Sequence, residues 1–232
     1  MSKAIFIALS GAVLKEKQME LISQNLANSN SSSYKKMRVA FKDYLTSPES
    51  EQEGQIMSEL ASISTDFSPG GLHQTGNTLD VALEGNGFFA LENNRFTRRG
   101  DFKINSAGYL TTQTGIPVLG LKGTPITIPQ GKLEIEPGGE VTVNQTHLDT
   151  LKVVDFADKG SLTRLGEDLF QTEAPGSPAK FLIKQGQLEG SNVEVVREMT
   201  QIIVTLREFQ TFQKVIQSLD DIQAKMIDMA RF

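Results

Sequence analysis

The stretch from Ser191 to Phe232 constrains this chain more than any other. It reads S-N-V-E-V-V-R-E-M-T-Q-I-I-V-T-L-R-E-F-Q-T-F-Q-K-V-I-Q-S-L-D-D-I-Q-A-K-M-I-D-M-A-R-F, with no Gly and no Pro. Val195, Met199, Ile202, Leu206, Phe209, Phe212, Ile216, Leu219, Ile222, Met226 and Met229 follow one another at steps of three or four, the spacing of a coiled-coil seam. The two steps of three from Leu206 through Phe209 to Phe212 form a stammer, which overwinds a seam locally. Ser191 with Glu194 three residues on has the form of a capping box and marks the start. About 39 residues at 1.5 Å rise make a rod of roughly 58 Å, longer than a compact domain of this size is wide. A helix of that length with an open apolar seam needs a partner helix, from this chain or from copies of it.

Residues 3–28 carry a second, weaker helical period. Ile5, Leu9, Ala12, Met19, Ile22 and Leu26 keep the spacing, and polar Lys15 and Glu16 occupy the missing turn. Small Ala8 and Ala12 suit close helix approach. The period stops at Asn28-Ser29-Asn30-Ser31-Ser32-Ser33, a run that favours turns. The opening residues begin like a short signal peptide, but the apolar run of about 11 residues is too short to span a membrane. The helical period then continues through K-E-K-Q-M-E-L-I, so no cleavage is expected.

From Tyr34 to Tyr44 the pattern is mixed. Residues 46–66 are polar and read as an exposed, flexible or extended arm. From Phe67 the texture changes: 18 of the 20 Gly and seven of the eight Pro lie between Phe67 and Gly190. Short strands joined by turns are therefore expected there. Glu92-Asn93-Asn94-Arg95 and Pro137-Gly138-Gly139-Glu140 read as hairpin turns. The expected core is Val81, Leu83, Phe88, Phe89, Phe96, Phe102, Leu110, Val118, Leu121, Ile126, Ile128, Ile135, Val141, Val143, Val153, Phe156, Phe170, Phe181 and Ile183. The fold class that follows is α+β. Paired N- and C-terminal long helices, coiled-coil-like and partly disordered in the monomer, flank a central all-β domain. Residues 1–45 and 188–232 would form the helical polymerisation domain, 46–66 the arm, and 67–187 the β-domain.

Composition excludes several functions. A net charge of -5 with a pI near 5.2 argues against a nucleic-acid binder. The absence of Cys removes disulfides, thiolate nucleophiles and Cys-based zinc sites. His73 and His147 are far apart and lack metal-ligand spacing. Gly85-Asn86-Gly87 lacks the third Gly and the following helix of a dinucleotide loop, and there is neither a Walker loop nor a G-x-S-x-G. Asp80, Glu84 and Asp101 read as strand-end acids rather than a catalytic pair. Asp155 and Asp158 suggest calcium only weakly. No catalytic residue, metal or cofactor is expected, and the chain reads as a non-enzyme.

Four blocks in order resemble a known family. Asn25-Leu26-Ala27-Asn28-Ser29-Asn30-Ser31-Ser32-Ser33-Tyr34-Lys35 is similar to the N-L-A-N-x-x-T-x-G-[FY]-K signature of bacterial flagellar rod and hook proteins. Leu79-Asp80-Val81-Ala82-Leu83-Glu84-Gly85-Asn86-Gly87-Phe88-Phe89 resembles their central L-D-V-A-I-x-G-x-G-F-F block, and Phe96-Thr97-Arg98-Arg99-Gly100-Asp101-Phe102 the Y-T-R-x-G-x-F block after it. Leu188-Glu189-Gly190-Ser191-Asn192-Val193 and the long helix resemble their C-terminal signature. Within the family, Arg207-Glu208-Phe209-Gln210 stands nearer the proximal than the distal rod branch. One departure is that Ser33 takes the place of the signature Gly and Ser31 that of the Thr. A Ser there is strained at positive φ or adopts another turn.

The resemblance implies a structural subunit of the flagellar basal-body rod, the drive shaft crossing the periplasmic space. Such proteins are exported through the flagellar type III apparatus without a cleaved signal and polymerise helically, terminal helices inward and β-domain outward. Heterologous contacts that do not close generate such tubes. The implied partners are copies of this chain, neighbouring rod proteins and the export apparatus, with no nucleic acid and no direct membrane insertion. The expected subunit-interaction residues are Ile5, Leu9, Ala12, Met19, Ile22, Asn25, Leu26 and Asn28 on the first helix, with Val195, Met199, Ile202, Leu206, Phe209, Phe212, Ile216, Leu219, Ile222 and Met226 on the second. The competing reading is a ligand- or carbohydrate-binding β-domain on a coiled-coil stalk.

Overall fold

The computed structural model describes residues 3–45, 56–166 and 168–229. Over these residues the chain has two α-helices, α1 over Lys3–Ala27 and α2 over Val195–Met229, and the region between them is mostly β. The chain divides into two compact bodies. One comprises Met1–Ala27, Met37–Asp66 and Glu194–Phe232, and the other Asn28–Lys36 and Phe67–Val193.

In the helical body α1 and α2 lie side by side and antiparallel. Gly11 meets Phe212, and one turn on in α1 Lys15 reaches back one turn in α2 to Glu208, Nζ to carboxylate 2.7 Å. This body also holds a hairpin of strands β1, Met37–Leu45, and β2, Ile56–Thr65. The two pair antiparallel with a register shift between Ala40 and Phe41.

The fold-class expectation needs correction here. Paired long helices, coiled-coil-like and partly disordered, are expected to flank a central all-β domain. Instead the region between the helices is mostly β, the helical body is itself part strand, and the two helices are continuous elements of 25 and 35 residues. The stripe that α2 turns inward shares Ile202, Phe209, Phe212, Ile216 and Leu219 with the expected apolar seam and departs from it elsewhere. It runs Glu198, Ile202, Thr205, Phe209, Phe212, Ile216 and Leu219, strictly alternating four and three, with Glu198 and Thr205 the buried members. Val195, Met199, Leu206, Ile222 and Met226 lie outside it and are exposed. The physical reason is the helical period: alternating steps of four and three keep to one face of α2, and that face carries Glu198 and Thr205, while Val195, Met199, Leu206, Ile222 and Met226 fall to either side of it. The stammer disappears once the two stripes are separated.

The β body is built from antiparallel sheets. A six-stranded sheet runs in the order Thr163–Gly166, Leu169–Gln171, Arg95–Thr97, Phe88–Leu91, Val153–Asp155, Ser177–Pro178. A three-stranded sheet is formed by Thr146–Thr150, Glu140–Val143 and Leu133–Ile135, and three further strand pairs belong to the body: Val81–Gly85 with Phe181–Gln185, Leu72–Gln74 with Gln187–Glu189, and Lys103–Ile104 with Leu110–Thr111. The hairpin at Asn93-Asn94 has both residues at positive φ, 64° and 52°, the backbone of a two-residue turn that matches strand twist.

One core joins Val81, Leu83, Phe89, Leu91, Phe102, Leu110, Val118, Ile126, Val141 and Leu151. A smaller one gathers Phe88, Val154, Phe156, Leu162 and Phe170, where Phe67 stacks edge-on to Phe88 at 5.5 Å. Of the residues expected in the core, Phe96 and Phe181 are half-buried and Leu121 is exposed. Leu121 sits in the turn that follows Gly120, where its side chain faces out. Leu91, Leu133, Leu151, Leu162 and Leu169 are buried without having been expected.

Candidate subunit-interaction site

The expected interaction residues divide into three groups. Ala12, Ile22 and Asn25 on α1 are buried within the chain, and Ile5, Met19, Leu26 and Asn28 are half-buried. On α2 Ile202, Phe209, Phe212, Ile216 and Leu219 are half-buried on the inward stripe. Leu9, Val195, Met199, Leu206, Ile222 and Met226 are exposed, Leu9 to 50%. Asn25 is satisfied internally. Its Nδ2 donates to Met37 O and its Oδ1 accepts from Met37 N, each at 2.9 Å, fixing the first residue of β1.

The sequence pattern missed part of the open apolar surface. Phe6, Ile7 and Val13 on α1 and Val196, Ile203, Val204, Val215 and Ile227 on α2 are large, apolar and exposed. Near the start of α2 Val195, Val196, Met199, Ile203 and Leu206 form one contiguous stripe; near its end Val215, Ile222, Met226 and Met229 form another on the opposite flank. The signal was present in A-I-F-I-A-L, which is apolar on every side. A helix of that kind belongs in an interior. α1 covers one side of it with α2 and leaves the other open.

The turn-like signature segment has a different role. Ser33 sits at φ 57° and is fully buried. Its Oγ donates to Arg98 O at 2.9 Å and its N–H to Glu189 O at 2.7 Å. Beneath it the Glu189 carboxylate takes Lys35 Nζ at 2.7 Å, Arg98 Nε at 2.7 Å and Gly70 N at 2.9 Å. The rest of the Arg98 guanidinium is enclosed by carbonyls of Leu83, Gly85 and Gly87, each at 2.6 Å. All three charged side chains are at most 6% exposed. Burial works against the charged form of Glu189. Arg98 first and then Lys35 overcome it, by charge and by hydrogen bond, so its carboxyl is held below the ordinary range. Asp168 shows the opposite balance. Burial dominates over the pull of Arg164 and Arg99 and raises it. Lys35, Arg98 and Glu189 were quoted in the family blocks but given no role, since each block shows only one member of the cluster.

A cleft of about 250 Å³ is lined by Thr97, Arg99, Asp101, Phe102, Thr112, Gln113, Thr114 and Leu169. Its polar groups serve one another: Arg99 forks onto Asp101, Gln113 donates to Asp101 O, and Thr112 bonds Thr114. Among the described residues no three His, Asp or Glu stand where they could hold a metal ion. No described helix is long and apolar enough to cross a membrane.

Two family models match the chain. Residues 184–229 match that of the flagellar basal body rod FlgEFG protein C-terminal region, and residues 82–143 that of the flagellar hook protein FlgE/F/G D1 domain. Full-length relatives agree. The flagellar basal-body rod protein FlgG of Agrobacterium fabrum is 32% identical, over 94% of this chain and 96% of its own. FlgG of Bacillus subtilis is 29% identical with both chains covered completely. FlgF of Caulobacter vibrioides is 26% identical over 98% of each. Relatives of both names therefore align end to end with this chain.

Proposed function

The chain belongs to the flagellar basal-body rod protein family and is a structural subunit of that rod; from this premise we propose that it joins its neighbours through the helix faces it leaves open. The observation that carries this is the exposure of large apolar side chains on both sides of the α1–α2 pair, from Phe6 and Leu9 to Met226 and Met229. A chain that stayed alone would hold that surface against water. Contiguous exposed apolar stripes of this kind mark contact with other proteins. Copies of this chain and adjoining rod proteins are the partners of matching chemistry. Residues 1–45 and 188–232 then serve polymerisation, with the β-domain of 67–187 carried beside them.

On the same reading the chain catalyses nothing, takes no nucleic acid, inserts in no membrane and travels through the flagellar type III apparatus with its N-terminus intact. The test is a strain deleted for this chain and supplied with a tagged copy. Swimming should return, and the tagged chain should co-purify with basal bodies and begin at its own first residues. Restored swimming with the tag absent from basal bodies would defeat the proposal.

A further inference from the structure

The chain passes between its two bodies at four places, 27/28, 36/37, 66/67 and 193/194. Inside the β body one side chain ties three of these passages together. Asn192 Oδ1 accepts from Lys36 N at 2.7 Å, and its Nδ2 donates to Ser68 O and Ser68 Oγ, each at 3.1 Å. Its own N–H donates to Tyr34 O at 3.2 Å. The segments ending at Lys36, beginning at Phe67 and ending at Val193 therefore leave the β body from one point. The Glu189 cluster underlies the same three segments through Ser33 and Lys35, Gly70, and Glu189 itself, and Lys35 Nζ also donates to Ser68 O at 2.9 Å.

We infer that Asn192 is a positioning residue for assembly. Its amide knots the exits of three chain segments, so that the segments of β1, β2 and α2 leave the β body from one fixed place. The inference rests on the rod reading above. The chemistry selects Asn: the site asks one planar group to accept from a backbone N–H and donate to a backbone C=O at once. Asp offers acceptors only, and Leu, of similar size, offers neither. A polymer built through the terminal segments depends on where those segments emerge, whereas the stability of the β core does not.

The test uses the full chain and the variants Asn192→Leu and Asn192→Asp. In N192L the Lys36 amide should exchange at least tenfold faster, while exchange across Val81–Leu91 and Val153–Asp155 stays unchanged. Swimming in the deletion strain should be lost. In N192D the Lys36 amide should stay protected, because an acceptor remains, and swimming should fall between the two. Unchanged protection at Lys36 in N192L, equal loss of protection throughout the core, or normal swimming with Lys36 released would each overturn the inference. A wild-type copy that fails to restore swimming would instead strike the rod reading, and the Lys36 amide would still decide the knot.

Discussion

Gly11 on α1 lies directly against the ring of Phe212 on α2: a Cβ at Gly11 would stand 2.6 Å from Cε1 and 2.7 Å from Cζ. Contacts below 3.0 Å force something to shift. The helix keeps a glycine in its interior, at about 0.5–1 kcal/mol relative to alanine, to let the ring in.

Gly11→Ala should therefore lower stability by about 1 kcal/mol net, overpacking outweighing the gain in helix propensity. In a Phe212→Ala background the same change should reverse sign and stabilise by about 0.5–1 kcal/mol. Urea unfolding of the four proteins gives the cycle. Equal effects in both backgrounds would mean the two side chains do not compete for this space.

Ser33 holds a left-handed backbone and a buried hydroxyl together. Ser33→Gly should be nearly neutral, since relief of about 1 kcal/mol of strain offsets one lost hydrogen bond of similar worth. Ser33→Ala keeps the strain and loses the bond, so it should cost about 1–2 kcal/mol. Thermal melting should rank wild type and S33G together, above S33A.

Glu189→Gln removes the carboxylate that buried Arg98 and Lys35 share. A loss of about 3–5 kcal/mol is expected at neutral pH. The pH dependence has a definite sign. The folded-state value of Glu189 lies below the reference 4.5, so its contribution is complete above that reference and is lost as pH falls through the lower folded value. The gap between wild type and E189Q should be flat above about pH 6 and close below the reference value. Denaturant melts at a series of pH values measure it; a gap that widened in acid would refute the assignment.

Met199→Glu with Ile203→Glu adds charge to the outward stripe of α2, where both residues are about half exposed. Monomer stability should change by no more than about 0.5 kcal/mol per site. Swimming of the complemented deletion strain should nevertheless be lost. Full motility would exclude this stripe from the assembled contact.

The helices were legible because period and length survive in any window of sequence, and the β core because large apolar residues between turns have few other destinations. The stripe that α2 turns inward was legible in five of its seven members; at the other two the pattern favoured the larger side chains, Leu206 over Thr205 and Met199 over Glu198, whereas helical position sets the face whatever the size. The start of α2 also shifted. Helix begins at Val195, and Ser191 accepts from Val193 N in a local turn instead of capping the first turn. The Glu189 cluster was out of reach for another reason. Lys35 and Glu189 are 154 positions apart, and each taken singly is an ordinary charged residue beside a turn.

The pairing of the first helix with the last also sets an order of events during synthesis. α1 leaves the ribosome early and finds α2 only after the whole β body has been made. Through that interval Ser33 and Lys35 likewise lack Glu189. A growing chain thus carries its greasiest segment unclosed until α2 arrives.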